Sequence, residues 1–230
     1  MNLSETQARD EICRIGQSLF NRGYVHATAG NISIRLNNGE DGYLMTPTDA
    51  CLGFLEPTQL SKIDKAGQQL SGLPASKTMA LHRAIYQATH SIQPAHCVIH
   101  THSTYCVALT LQANQIDTSN TNELLPAVTP YFVMKVGRVP VMPYRRPGDP
   151  NTASDVAAAI AHYAALGRRI SAVMLSRLGP NVWHQSPASA MAVLEELEET
   201  AKLWLLSNPK PAPLDEAKIQ ALRETFNVQW

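Results

Sequence analysis

Residues 97–104 read "CVIHTHST", and the fold and function of the chain hang on this stretch. Its apolar start is rich in β-branched residues and suits a buried strand, in which alternate side chains project to opposite faces. Val98, His100 and His102 then share one face, and Cys97, Ile99 and Thr101 the other. Two imidazoles one residue apart on one face can bring two ring nitrogens to a single cation without a loop folding around it. The same pattern suits two partly buried histidines bonded to backbone. Spacing leaves both readings open, since a catalytic zinc site usually takes three protein ligands. Ser103 or Thr104 can cap "STYCVALTL", which places the pair at the carboxyl end of a strand just before a helix, where ligand sites gather in α/β proteins.

Upstream, Ile12, Ile15, Leu19 and Phe20 recur at helical spacing over residues 4–22, closed by Arg22-Gly23. "HATAGNISIRL" is a small-residue turn leading into alternating Ile32, Ile34 and Leu36, and "NNGEDG" is a hairpin signal before the strand "YLMTP". An apolar helix is expected near 77–88. Downstream, the Asn, Thr and Pro density of 112–150 predicts short strands broken by turns and argues against helix. Asn151 or Thr152 caps an alanine-rich helix to about 166, "ISAVMLSR" reads as a strand, and "GPN" as a turn into "VWH". Ser186 and Pro187 open a long helix to about 206 whose acidic "EELEE" predicts a solvated face, and a last helix at 213–226 follows a Pro-rich linker.

Length and composition bound the function. A chain of 230 residues supports one substantial core, and a single domain over 1–230 is expected. Nineteen basic and nineteen acidic side chains cancel, so nothing draws the chain as a whole to nucleic acid or anionic membrane, and a small molecule is the expected partner. No apolar run approaches a membrane span, and "MNLSETQARDEICRIG" lacks the pattern of a signal peptide, so a cytoplasmic location is expected. Cys13, Cys51, Cys97 and Cys106 show no C-x-x-C spacing and read as reduced thiols.

Six ordered stretches, "TAGNIS", "TPTDACLG", "PASK", "HTHST", "PYRRPGD" and "LGPNV", resemble the class II aldolase/adducin family, with the nearest likeness in its 3-oxo-tetronate 4-phosphate decarboxylase branch. The likeness runs from about residue 8 to 206. It implies an α/β fold, a three-layer α/β/α single domain with a mostly antiparallel central sheet, assembled as a homotetramer with active sites between subunits. It also implies a lyase that breaks a carbon–carbon bond of a small phosphorylated sugar acid or ketose with Zn2+ or another divalent metal. Residue by residue, His100 and His102 match two metal ligands; Gly30, Asn31, Thr48, Ser76 and Lys77 match the phosphate pocket; Arg146 is a further anion-facing candidate; and Tyr131, in "TPY", is a candidate catalytic residue.

Three positions depart from the family pattern. Leu178 stands where a third metal histidine is expected, Thr78 where a proton-handling glutamate is expected, and Asp49 where the phosphate loop usually has glycine. A leucine cannot bind zinc, and a threonine hydroxyl is a far poorer base than a carboxylate. Either the site is rebuilt, with His26, His82, His184, Asp49 or water replacing the lost ligand, or the chain is a catalytically weakened relative kept for binding or assembly. Arg177, beside Leu178, could supply a fixed guanidinium in place of metal charge, or could simply be a solvated strand-end arginine.

Overall fold

The computed structural model describes residues 3–36, 42–112 and 123–230. Helix α1 (Glu5–Asn21) begins with a reciprocal cap, in which the Ser4 hydroxyl accepts from the Gln7 N–H and the Gln7 side chain accepts from the Ser4 N–H. It is followed by β1 (Asn31–Leu36), β2 (Gly42–Met45), β3 (Ser61–Asp64), β4 (Gln69–Ser71), α2 (Met79–Thr89), β5 (Cys97–His100) and α3 (Thr104–Leu111). Then come β6 (Val141–Met142), α4 (Asn151–Ala165), β7 (Ala172–Leu175), β8 (Gly179–His184), α5 (Pro187–Leu206) and α6 (Glu216–Phe226).

The eight strands form one sheet in the order β4-β3-β2-β1-β5-β8-β7-β6, antiparallel except for the β6–β7 pair. The alternation expected of "CVI" is what divides the core. Cys97 and Ile99 pack with Ile32, Ile34, Met174 and Val182 against α1, α3 and α5. Val98 packs on the opposite face with Tyr43, Val173 and Trp183 against α2 and α4. The result is the expected three-layer α/β/α arrangement with a mostly antiparallel sheet, and β5 lies inside it, flanked by β1 and β8.

Several local expectations are corrected. Phe132–Val136 is one turn of π-helix, not a strand, because Thr129 accepts from the Phe132 N–H at 3.0 Å and the turn buries Phe132, Val133 and Val136. "GPN" is not a turn but the start of β8; the turn lies at 176–178, with Arg177 at φ +63°. Pro180 is tolerated near the beginning of that strand, pairing with Met174. Asn151 is inside α4, and it is the Asp149 carboxylate, not Asn151 or Thr152, that accepts from the Asn151 N–H. The last helix starts at Glu216, behind an Asp215 cap. The "NNGEDG" hairpin falls largely on residues 37–41 and part of the 112–150 stretch on 113–122, outside the described residues.

The "EELEE" face is only partly solvated. Glu198 is buried, and its carboxylate accepts from the backbone N–H groups of Tyr105 (2.8 Å) and Cys106 (3.0 Å), so α5 caps α3 across the core. Ser103, the expected cap, makes no side-chain cap bond. A carboxylate at a helix N-terminus satisfies orphan donors and complements the dipole. Glu198→Ala is expected to lower the unfolding free energy by about 2–3 kcal/mol in urea titrations, and Glu198→Gln, which keeps an acceptor, by distinctly less.

Candidate active site

A cleft of about 480 Å³ opens at the carboxyl end of β5. Two glycines let the neighbouring strands close on it. Gly30 (φ +85°) stands where a Cβ would come within 2.9 Å of the His100 carbonyl oxygen, and Gly179 (φ +138°) where one would fall 1.9 Å from that of Thr101. No other residue allows both the backbone conformation and the approach. The register then sets Asn31 of β1 and Asn181 of β8 directly opposite His100, on the face toward α2.

His100 is buried, and its Nδ1 lies 3.0 Å from the Pro180 carbonyl oxygen. A carbonyl only accepts, so Nδ1 carries the proton and Nε2 keeps its lone pair. The Asn181 side-chain nitrogen lies 3.1 Å from the same atom; two donors cannot bond each other, so the amide orientation that suits a protonated Nδ1 is the one with its oxygen toward the ring. Burial, reinforced by His102, pulls the His100 pKa down to about 4. Burial and then His26 also hold His102 below the ordinary value. Both rings are therefore neutral near pH 7. Their centroids are 5.0 Å apart, close to the roughly 5 Å that two imidazoles on one tetrahedral ion would show with Zn–N bonds of about 2.0–2.1 Å.

The remaining wall comes from loops and helix starts. Thr48 and Asp49 follow β2; Ser76, Lys77 and Thr78 lead into α2; Arg146 precedes α4. Ala80 and Leu81 from the first turn of α2 and Thr152 and Ala153 from that of α4 line the cleft; helix N-termini favour anions, and at α4 that place is already taken by the Asp149 carboxylate. The Thr78 hydroxyl is bonded to that of Ser76 at 2.6 Å.

Comparison with known proteins agrees with this architecture. Residues 10–205 match the Class II Aldolase and Adducin N-terminal domain. The chain belongs to that family. It is 47% identical to the 3-oxo-tetronate 4-phosphate decarboxylase of Cupriavidus necator, across 99% of each chain. It is 40% identical to the enzyme of that name from Escherichia coli K12, over 90% of each. The crystal structure of Escherichia coli YgbL superposes with a TM-score of 0.82 at 37% identity, covering 95% of this chain and 99% of that one.

The family generally uses a divalent metal, and the residues present do not complete its three-histidine centre. Leu178 lines the cleft at the third position, and no group of three His, Cys, Asp or Glu side chains among the described residues lies together to hold an ion. Of the alternatives, His184 pairs with Cys97 at the far end of the strands. His82 is fully buried and bonded to Ser33 at 2.8 Å. His26 comes near the pair, its ring centroid 6.4 Å from that of His102. Asp49 (φ +55°) is exposed at the rim.

Gly30, Asn31, Thr48, Ser76, Lys77, Arg146, His100 and His102 all line the one cleft. Tyr131 does not: it is 61% exposed on a different groove beside Arg22, Lys135 and Glu195 of the same chain. Arg177 is also exposed and does not line the cleft, which fits the reading of it as a solvated strand-end arginine. Sequence reasoning missed Asn181, Leu81 and Leu175. Reading residues 179–181 as strand would have revealed Asn181, which then falls opposite His100.

Burial pulls the pKa of His82 down to about 3 from 6.5, and that of His100 to about 4. Above pH 6.5 both states of the chain are neutral at these sites. As pH falls below 6.5 the unfolded chain takes up protons that the native one refuses, so stability drops by up to about 1.4 kcal/mol per pH unit for each histidine until the native pKa is reached. His82→Asn, which keeps a bond to Ser33, is expected to remove one proton from the pH slope of urea stability between pH 6.5 and 4.5. An unchanged slope would show His82 charged in the native state.

Proposed function

We propose that the chain is a lyase that decarboxylates a small phosphorylated 3-oxo sugar acid, with 3-oxo-tetronate 4-phosphate the nearest case. The observation that carries this reading is the convergence of Thr48, Ser76, Lys77 and Arg146 with the two neutral histidines on a single cleft at the start of α2. Hydroxyls, exposed cations and the start of α2 suit a phosphate, and the name shared by the relatives supports the acid.

Thr78 supports decarboxylation over aldol cleavage. Releasing an aldehyde from a hydroxy ketone requires a base to take the hydroxyl proton, a role for which threonine is unsuited. A β-keto carboxylate loses carbon dioxide with no proton removed: the electron pair of the breaking bond becomes an enolate, and a proton is added afterwards. Negative charge passes from carboxylate to ketone oxygen, so the site has to favour the second position over the first. Lys77 and Arg146 are the cations available to the phosphate and to that charge.

Zinc or a similar ion held by His100 and His102 would supply Lewis-acid stabilisation, with occupancy below that of a three-histidine site because a ligand is missing. The protein is proposed to act in the cytoplasm as a homotetramer, in which the exposed Tyr131 would be free to reach a neighbouring subunit's cleft. Leu178 favours a second reading, a relative weakened in catalysis and retained for binding or assembly.

Elemental analysis of protein purified without chelator tests the metal. Substoichiometric zinc, lost on dialysis against EDTA, is expected, and Leu178→His should raise occupancy; full zinc that survives EDTA would show that a replacement ligand exists. A carbon dioxide release assay on phosphorylated and unphosphorylated 3-oxo acids, with aldehyde release from ketose phosphates measured in parallel, tests the activity. Turnover of the phosphorylated acid, reduced at least about 100-fold by His100→Ala, is expected. Silence across the panel, with phosphate still raising the melting temperature in EDTA, would favour the binding role.

A further inference from the structure

Leu81 and Leu175 are 4% and 6% exposed, yet both line the cleft, and Leu178 packs on the same apolar cluster. The Leu178 N–H donates to the Leu175 carbonyl at 3.0 Å, so the backbone here turns its polarity inward and leaves side chains to the cleft. A Cβ on the adjoining Gly179 would lie 3.1 Å from the His102 Cα, which fixes Leu178 beside the histidine pair. The cleft is thus unlike a uniform anion pocket: a leucine wall stands next to the histidine pair.

We propose that this wall receives the scissile carboxylate, and that Leu178 is a specificity-determining residue that speeds loss of carbon dioxide by keeping that carboxylate unhydrated. The inference rests on the decarboxylase reading above. A carboxylate is strongly solvated and pays heavily for an apolar neighbour, whereas carbon dioxide is neutral and apolar. The bond between the carboxyl carbon and the α-carbon breaks; its electron pair forms the double bond of the enolate, whose charge rests on the β-ketone oxygen. Carbon dioxide departs along the leucines, and a proton from solvent water adds to the α-carbon. No oxidant or reductant is involved. A polar side chain at position 178 would solvate the carboxylate before reaction and lose that advantage at the transition state.

The test uses the full chain with 3-oxo-tetronate 4-phosphate, comparing Leu178→Asn, which is polar and of similar size, with Leu178→Met, which stays apolar. The expected result is a kcat at least about tenfold lower in Leu178→Asn, with the affinity for inorganic phosphate unchanged and Leu178→Met within about threefold of the unmodified chain. Unchanged phosphate binding shows that the variant is folded; should Leu178→Asn not fold, Leu178→Thr takes its place. Equal kcat values in the polar and apolar variants overturn the inference while leaving the decarboxylase reading intact. An unmodified chain that releases no carbon dioxide overturns both.

Discussion

The site depends on a backbone clamp around the end of β5. Gly30 on one side and Gly179 on the other bring the flanking chains closer to His100–His102 than any side chain would allow. That closeness carries the Pro180 carbonyl to within hydrogen-bonding distance of His100 Nδ1, which holds the proton there and leaves Nε2 with its lone pair. It also lines up Asn31, His100 and Asn181 across three strands. An added methyl at either glycine would meet carbonyl oxygen, which has nowhere to go, so geometry, tautomer and polar row stand or fall together.

Electrostatics follow from the same burial. Desolvation dominates at His100, outweighing the Pro180 bond that would favour its charged form. The imidazoles are therefore not the cations of the cleft near pH 7. Positive potential comes from Lys77, Arg146 and the start of α2, all reached from the loop side, while Asp49 at the rim and Asp149, which caps α4, add negative charge. Neutral imidazoles beside leucines and cations along the loops make a cleft with two characters, which suits a substrate that keeps one anionic group and discards another.

The legible parts of this structure were those set by periodicity and local chemistry. The alternation of "CVIH" gave the two core faces and the placement of His100, whereas β5 ends there and His102 lies in the link to α3; capping residues marked α1, α3 and α5 to within a residue or two. Order-specific resemblance grouped Gly30, Asn31, Thr48, Ser76 and Lys77, which line one cleft. What local reading missed depended on contacts distant in sequence. Glu198 looks like one acid of a solvated run because nothing near it reveals that α5 packs over the start of α3. "GPN" carries turn residues, but pairing with β5 and β7 on both sides draws it into the sheet. Tyr131 was grouped with the site by motif, whereas the chain's own geometry puts it on another surface.

The substitutions at Thr78 and Leu178 can be judged by how the surroundings treat them. A site decaying under no constraint leaves lost groups as voids or stranded polar atoms, each costly in a packed interior. Thr78 instead closes a 2.6 Å bond with Ser76, and Leu178 joins an apolar cluster that already contains Leu81 and Leu175. Among the described residues the buried side-chain atoms without a partner around the histidines, Asn31 Oδ1, His82 Nε2, Thr101 Oγ1, Ser103 Oγ and Asn181 Oδ1, do not include any atom of the substituted positions. Both replacements are thus accommodated by the residues around them, and neither leaves a stranded polar atom of its own. That distribution fits a cleft adapted to a reaction needing no base better than one that has merely lost its parts.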